Sequence, residues 1–355
     1  MIAVAASTGP TVTSAMIESH SHTKSITLRF RLAVVIAAGV LLSACSPQDD
    51  AVVIFPIQKE PKLPMLVKVV AGASTYQLVF ATGNNATTVD AGIAARDLTP
   101  LTSRDRAAFE KNGEWFLDRT GFTGQIGYYD GVSMSREDWK IPSDKIIAAL
   151  DYGPTAKLLG VQVDGMLGAP AIATLNWIWD RQAGDVRGYL FDSVFFAKKR
   201  DKLTCVPMET QLSGAPGIQI VLGGQPVWFD LDTLVLGRLS GVLSQADAIR
   251  LRQGGAVAAE VNYSPPGNGG SQASHSLLKL KPGSLANIAA EGLAFDEAMP
   301  GDSSKLGMVF LSKFEKAAFD FSDHRFCFPA TTRLAPDKFP TQAEVRQIER
   351  AQSAR

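Results

Sequence analysis

The chain has 355 residues, of which 46% are hydrophobic and 20% charged, and equal numbers of acidic and basic residues leave no formal net charge. This composition is typical of a globular protein and excludes a disordered or fibrous chain. Basic residues form no stripe along the sequence, which argues against nucleic-acid binding. The length is sufficient for two modest lobes.

The N-terminus has the features of an export signal. A basic region at Lys24, Arg29 and Arg31 precedes an apolar run of 13 residues from Leu32 to Ala44. This run is too short to span a bilayer comfortably. We therefore interpret residues 1–44 as a signal peptide, with an apolar anchor as the alternative.

The apolar run ends in Leu42-Ser43-Ala44-Cys45, which resembles a bacterial lipobox. In such signals the cysteine is lipidated and becomes the mature N-terminus, so the resemblance implies a lipid on Cys45. Ser46 follows the cysteine in place of aspartate, which by the family's sorting rule favours the outer membrane. The resemblance thus implies a lipid-anchored protein of the bacterial cell envelope that faces the periplasm.

Two segments flank the predicted fold. Residues 45–64 contain four prolines and are typical of an extended tether, although Val52 to Phe55 is apolar enough to add an edge strand. Residues 331–355 form a polar C-terminal tail, in which a helix is predicted from Gln342 to Gln352, beginning after Thr341.

A pattern that occurs twice organises the rest of the chain. The stretches Val69–Gly83 and Ile220–Leu234 each predict a strand, a Gly-centred turn, a second strand and a loop that contains threonine. They align without a gap, because Gly72 and Gly223 are 151 residues apart, as are the threonines of the two loops.

A second pair of matches lies downstream. Asp164–Gly168 precedes an apolar stretch that ends in Asp180, and Lys305–Gly307 precedes one that ends in Asp320. Each half therefore runs from a hairpin and threonine loop to an apolar-apolar-Gly segment and an apolar strand that ends in aspartate. A repeat of this size predicts two similar lobes in one chain.

This order resembles a retropepsin-type aspartic protease written twice, as in the bacterial aspartyl-protease-like proteins and, more distantly, the two-lobed pepsins. The resemblance covers roughly residues 64–329. It implies a mostly β fold of two acid-protease β-barrel lobes, residues 65–199 and 200–330, related by pseudo-twofold symmetry. Helical insertions are expected in lobe one, with helix character over residues 102–117. In the family each lobe carries Asp-Thr-Gly after a strand, and an apolar-apolar-Gly segment packs beside that loop.

Both catalytic motifs depart from the family pattern. The first loop is Ala81-Thr82-Gly83, so alanine stands where the first catalytic aspartate is expected. The second loop is Asp232-Thr233-Leu234, in which leucine replaces glycine and adds bulk where the two loops should approach closely. The resemblance implies that Thr82 and Thr233 hydrogen bond across the lobe interface, a structural role that survives loss of catalysis.

Aspartic proteases need two facing carboxylates that share one proton, because two like charges about 3 Å apart cannot both ionise. One carboxylate activates water as a general base, and the other protonates the substrate carbonyl. The resemblance implies that Ala81 and Asp232 occupy the two positions in this chain, so one carboxylate is missing. Loss of one general acid or base costs roughly 10²–10⁴ in rate. The substitution therefore favours an inactive homologue over an active peptidase.

Three functions remain open. The first is a lipid-anchored homologue that binds an extended peptide or an envelope partner in the cleft between the lobes, since strands add to strands. The second is an active aspartic endopeptidase that pairs Asp232 with a carboxylate from Asp90, Asp164 or Asp230. The third is a structural envelope lipoprotein, which an open cleft lined by apolar side chains would argue against.

The remaining cysteines favour a disulfide. With Cys45 taken by lipid, Cys205 and Cys327 are left, and an export signal places them in an oxidising compartment where they can pair. Two buried free thiols are the alternative. Since no Cys/His spacing indicates a metal site and no other catalytic motif competes, the sequence predicts neither a metal nor a cofactor.

Replacement of Cys45 tests the anchor. Cys45→Ser removes the lipid acceptor, so the protein should move from the membrane fraction to the soluble fraction, because acyl chains supply the membrane affinity. Immunoblotting of the fractions measures this shift, and Cys205→Ser, which leaves the lipobox intact, should stay with the membrane. Unchanged fractionation of Cys45→Ser after signal removal would rule out lipid anchoring.

Overall fold

The computed structural model describes residues 49–102, 126–142, 145–211, 214–263 and 275–353, and Asp50–Arg355 form one compact unit. The predicted signal peptide, Cys45 and most of the helix expected over residues 102–117 lie outside the described residues. No helix in the described part of the chain is long and apolar enough to cross a membrane.

The described chain is mostly β, as predicted, and its strands form three sheets. In chain order the first strands are β1 (Val53–Pro56), β2 (Leu66–Ala71), β3 (Ser74–Ala81), β4 (Thr88–Asp90), β5 (Gly127–Asp130), β6 (Met134–Arg136), β7 (Trp139–Ile141), β8 (Ile146–Leu150), β9 (Gly165–Gly168), β10 (Asn176–Asp180), β11 (Asp185–Tyr189) and β12 (Thr204–Pro207). The others are β13 (Glu209–Thr210), β14 (Pro216–Leu222), β15 (Gln225–Leu231), β16 (Gly241–Leu243), β17 (Val257–Tyr263), β18 (His275–Leu280), β19 (Gly283–Leu285), β20 (Ile288–Ala290), β21 (Ala294–Glu297), β22 (Lys305–Leu306), β23 (Lys316–Asp320) and β24 (Arg325–Phe328).

The first two sheets repeat the same strand pairings. In the first sheet, β3 runs antiparallel to β2 and parallel to β9, and β4 lies between β9 and β8. In the second, β15 runs antiparallel to β14 and parallel to β22, and β16 lies between β22 and β21. The hairpin turns match as well, since Gly72 and Gly223 have positive φ angles of 59° and 54°. The sequence repeat thus coincides with a repeat of strand pairings.

The strand orders of these sheets are open paths, with β5 and β7 at the two ends of the first and β17 and β20 at those of the second. No closed barrel forms among the described strands. The resemblance implied barrels, but the strands at the two ends of each sheet do not pair with each other.

The third sheet takes strands from both halves, in the order β1-β11-β10-β23-β24-β12. At its centre β10 and β23 pair antiparallel, with Ile178 opposite Ala318. The expected edge strand forms as β1, which pairs with β11. Phe80 of β3 packs its ring 5.1 Å from Trp177 of β10 and 5.4 Å from Phe55 of β1, so this sheet supports the strand that leads into the first threonine loop.

Short helices connect the strands, and polar side chains cap several of them. The helices are α1 (Ala91–Asp97), α2 (Gly153–Leu159), α3 (Ala169–Ile172), α4 (Val194–Arg200), α5 (Gln245–Gln253), α6 (Met308–Leu311) and α7 (Gln342–Ser353). Helix α7 is close to the helix predicted over residues 342–352. Thr341 and Glu344 form a capping box at its start, with each side chain accepting from the other residue's backbone N–H.

The segment before α7 packs into the second half of the chain. Leu334 is 1% exposed, and the carboxylate of Asp337 accepts hydrogen bonds from the backbone N–H groups of Ser240 and Ala294 at 3.1 and 2.8 Å. Its other oxygen lies 2.7 Å from Lys313 Nζ. A buried carboxylate with three donors ties β16, β21 and the chain after α6 together, so the polar tail contributes to the fold.

A disulfide joins the β12 and β24 strands. Cys205 and Cys327 face each other in the register of the antiparallel pair, and their sulfur atoms are bonded. The bond links positions 122 residues apart and lies against the buried cluster that includes Tyr189 and Phe196. It therefore closes the second half of the chain on itself.

Removal of the disulfide should destabilise the protein. Cys205→Ser with Cys327→Ser frees a long loop in the unfolded state, and we expect a loss of about 2–5 kcal/mol in unfolding free energy. Chemical denaturation measures the loss, and reduced wild-type protein should match the double variant. Alkylation of both cysteines in unreduced, exported protein would show that the bond is absent.

Candidate functional site

The two threonine loops lie against each other. The N–H of Thr82 donates to Thr233 Oγ1 and the N–H of Thr233 donates to Thr82 Oγ1, each at 3.1 Å. The Thr82 hydroxyl donates to the carbonyl oxygen of Leu231 at 2.6 Å, and the Thr233 hydroxyl donates to that of Phe80. Both threonines are buried. The threonine contact that the resemblance implied is present, and it is reciprocal.

Ala81 and Asp232 begin matching turns. Asn84 N donates to the carbonyl oxygen of Ala81 at 3.2 Å, and Val235 N donates to that of Asp232 at 3.1 Å. In each pair the donor lies three residues after the acceptor, at the point where β3 or β15 ends. The structure therefore places Ala81 and Asp232 at equivalent positions of the two loops, as the gapless repeat predicted.

The two Gly segments pack beside these turns. Ala169 N donates to Asn84 O at 2.6 Å, and Met308 N donates to Val235 O at 3.0 Å. A Cβ atom at Gly168 or at Gly307 would overlap the backbone of the adjoining loop. Glycine is needed at both places because backbone meets backbone there.

Asp232 is buried, with 2% of its surface exposed, and both of its carboxylate oxygens have partners. Oδ1 accepts a hydrogen bond from the N–H of Leu234 at 2.9 Å, and Oδ2 lies 3.1 Å from Lys305 Nζ. Leu234 thus supports the carboxylate through its backbone. The ammonium of Lys305 supplies an opposite charge beside this carboxylate.

Lys305 projects from β22, the strand parallel to β15, with 27% of its side chain exposed. Burial acts to lower the pKa of Lys305, but the charge and hydrogen bond of Asp232, with further attraction from Asp302 and Asp230, outweigh burial and raise it. The side chain therefore remains a cation at neutral pH.

The backbone of the first loop closes the other side of Asp232. A Cβ atom at Gly83 would overlap the carboxyl group of Asp232, so no side chain fits at that position. Ala81 is fully buried. What Asp232 meets across the loop interface is therefore the main chain of Gly83.

The three alternative carboxylates are engaged elsewhere. Asp90 caps α1 through Gly92 N at 2.9 Å and also accepts from Tyr152 N. Asp164 accepts a hydrogen bond from Gln77 N at 2.8 Å. Gln77 lies four residues before Ala81, which is roughly 13 Å along the strand.

Asp230 lies on the same strand face as Asp232 and accepts a hydrogen bond from the Ser303 hydroxyl at 2.7 Å. Each of the three carboxylates thus has a local structural partner.

Sequence reasoning missed Lys305. In the strand register Lys305 lies opposite Asp230, which stands two residues before Asp232. Met166 lies opposite Val79, which stands two residues before Ala81. Lys305 and Met166 therefore hold matching positions. The signal was a lysine in a segment that the family pattern requires to be apolar.

Two further features bear on ligands. Among the described residues, no group of three or more His, Cys, Asp or Glu side chains is placed to hold a metal ion. A pocket forms where the β19–β20 hairpin meets residues 330–335, and neither threonine loop contributes to its lining.

Comparison with known proteins gives a weak likeness. No family model matches the chain, and no curated protein matches it. Among solved structures, the chain is similar to a retropepsin-like aspartic protease from Rickettsia conorii, with 16% identity and a TM-score of 0.28, over 36% of this chain and 92% of that protein. A likeness at this level assigns no family and no residue roles.

Loss of the Lys305 cation should destabilise the fold. Lys305→Met introduces the side chain of the matching position and leaves Asp232 buried without its ion-pair partner. Removal of one partner of a buried pair costs about 3–5 kcal/mol, and we expect about 2–4 kcal/mol, because Lys305 is partly exposed. Urea denaturation of the two proteins measures the difference in unfolding free energy.

The pH dependence and a second variant provide the controls. Since the fold raises the pKa of Lys305, the stabilisation is fully present below the unfolded pKa and is lost as pH rises through the higher folded pKa. The difference in unfolding free energy between wild type and Lys305→Met should therefore become smaller at strongly alkaline pH. Asp232→Asn in the Lys305→Met background should recover part of the loss, and strictly additive effects would contradict the pairing.

Proposed function

We propose that this chain is a two-lobed, retropepsin-like protein in which an Asp232–Lys305 ion pair replaces the catalytic dyad. The lobes are residues 65–199 and 200–330, related by a pseudo-twofold axis. Three observations support this arrangement: the repeated strand pairings, the reciprocal threonine bonds, and the pairing of β10 with β23. The middle residues of those two strands, Ile178 and Ala318, face each other, as strands beside a twofold axis require.

The observation that carries the functional proposal is the contact of Lys305 Nζ with Asp232 Oδ2 at 3.1 Å. Peptide hydrolysis by this fold needs one carboxylate to take a proton from water while another gives a proton to the substrate. Ala81 provides a methyl group in place of the second carboxylate. The Lys305 ammonium already bears its proton and cannot act as the base, so the site lacks the pair that the reaction requires.

An active endopeptidase is the second candidate, and the geometry argues against it. Its extra carboxylate would have to come from Asp90, Asp164 or Asp230. Each of these accepts a hydrogen bond from a neighbouring residue, and withdrawal of the carboxylate would break that hydrogen bond.

The role that fits the remaining features is binding of an extended peptide or an envelope partner between the lobes. β17 is an end strand of the second sheet, and extended peptides add to such ends through main-chain hydrogen bonds. The outer edge of β5, at one end of the first sheet, already pairs with the chain at Thr99 and Leu101. The lipobox resemblance at Cys45 supports a position on the periplasmic face of the outer membrane. A structural envelope lipoprotein is the alternative if no peptide binds.

Peptide cleavage tests the loss of catalysis. We expect wild-type protein to cleave a mixed peptide library no faster than Asp232→Asn, at acid and neutral pH. Statine-type compounds should leave any background cleavage unchanged. Ala81→Asp alone should remain inactive, because Lys305 still pairs with Asp232. Ala81→Asp with Lys305→Met and Leu234→Gly rebuilds the family motif, and mass spectrometry of the products should detect cleavage.

The controls separate the three candidates. Cleavage by wild-type protein that Asp232→Asn abolishes would show an active endopeptidase. Binding is read independently, by thermal shift with non-hydrolysable extended peptides. The complete absence of any shift across the library would favour the structural role.

A further inference from the structure

Three large apolar side chains are exposed together at the end of the third sheet. Leu190, Phe191 and Val194 are 53%, 50% and 60% exposed. They fall within five consecutive positions, between the end of β11 and the first residue of α4. Isolated exposed apolar residues are ordinary, whereas a cluster of large ones marks an interaction surface. We call these three residues the apolar corner.

The apolar corner stands on a packed base. Tyr189 stacks on the ring of Phe195 with centroids 6.0 Å apart, and Phe196 packs at 5.8 Å from the same tyrosine. Ser193 caps α4 by accepting a hydrogen bond from Phe196 N at 3.0 Å. The exposed side chains are therefore held outward by ordered neighbours.

The chain enters the fold beside this corner. Asp50 Oδ1 accepts a hydrogen bond from the Ser193 hydroxyl at 2.7 Å, and Val52 N donates to Gly188 O at 2.9 Å. Cys45 precedes Asp50 by five residues, which reach at most about 17 Å when fully extended. A lipid on Cys45 would therefore hold the apolar corner close to the bilayer.

The charges around the corner suit a phospholipid surface. Lys198 is exposed one helical turn after Val194, and Lys199 lies 5.0 Å from the ring centroid of Phe195. Long lysine side chains extend from apolar surfaces toward headgroups. Exposed Asp192 and Asp201 offset these lysines, so apolar contact, rather than net charge, is the main source of affinity.

We propose that the apolar corner docks on the lipid bilayer beside the anchor and inserts Leu190, Phe191 and Val194 at the boundary between headgroups and acyl chains. This contact would fix how the lobes face the membrane. The inference rests on the anchoring part of the proposed function and is independent of the peptidase site, because no residue of the threonine loops takes part.

Fluorescence quenching by brominated lipids tests this contact. Full-length protein is reconstituted in phosphatidylcholine vesicles with and without bromine on the acyl chains. Phe191→Trp places a reporter in the corner, and Ile249→Trp is the matched control, since Ile249 is a 51% exposed apolar residue on α5. The chain has five tryptophans, so each variant is read as a difference from wild type.

We expect the emission added by Phe191→Trp to shift to shorter wavelength and to be lost in brominated vesicles, whereas the emission added by Ile249→Trp should show no such loss. Leu190→Ser with Val194→Ser in the Phe191→Trp background should reduce the quenching, and circular dichroism confirms that each variant is folded.

Flotation of the same samples separates failure of the contact from failure of the anchor. An unquenched reporter in Phe191→Trp protein that floats with the vesicles overturns the docking while the anchor stands. Protein that does not float refutes the anchor and the docking together. Equal quenching of the Phe191→Trp and Ile249→Trp reporters also overturns the docking of the apolar corner on the bilayer. So does cross-linking that shows the Phe191→Trp reporter buried against a second copy of the chain.

Discussion

The reciprocal hydrogen bonds between Thr82 and Thr233 are the constraint on which the rest of the site depends. They use backbone and hydroxyl groups that are buried, and a buried donor left unpaired costs about 1–3 kcal/mol. With the loops held in this way, the main chain of Gly83 is brought against Asp232. None of these bonds involves a carboxylate, so the two loops are held together with alanine at position 81.

A buried carboxylate in this position must have a partner, because an unpaired buried charge is strongly destabilising. Lys305 supplies the opposite charge to Asp232, and Leu234 supplies a backbone donor. At the matching positions of the other loop, Ala81 and Met166 are both uncharged. The second half thus carries an ion pair where the first half carries two uncharged side chains.

Much of the fold follows from periodicity and spacing. The gapless repeat predicted the two hairpins, and the apolar-apolar-Gly pattern predicted segments that pack beside the loops; both are local patterns with strong steric requirements.

Lys305 was missed, because a single lysine was accepted within an apolar pattern and its partner Asp232 is distant in sequence. The contribution of Asp337 to the core was equally invisible, since its donors Ser240 and Ala294 belong to other strands. Closed barrels depend on strand ends that local patterns do not specify.

Asp232 is paired with Lys305 rather than with a second carboxylate. NMR titration of the Lys305 side chain, labelled with carbon-13 at Cε, tests this pairing most directly. We predict that the pKa of Lys305 is raised above its ordinary value in wild-type protein, because the charge of Asp232 outweighs burial, and that it falls in Asp232→Asn. An identical Lys305 pKa in the two proteins would contradict the ion pair and, with it, the proposal that this pair replaces a catalytic dyad.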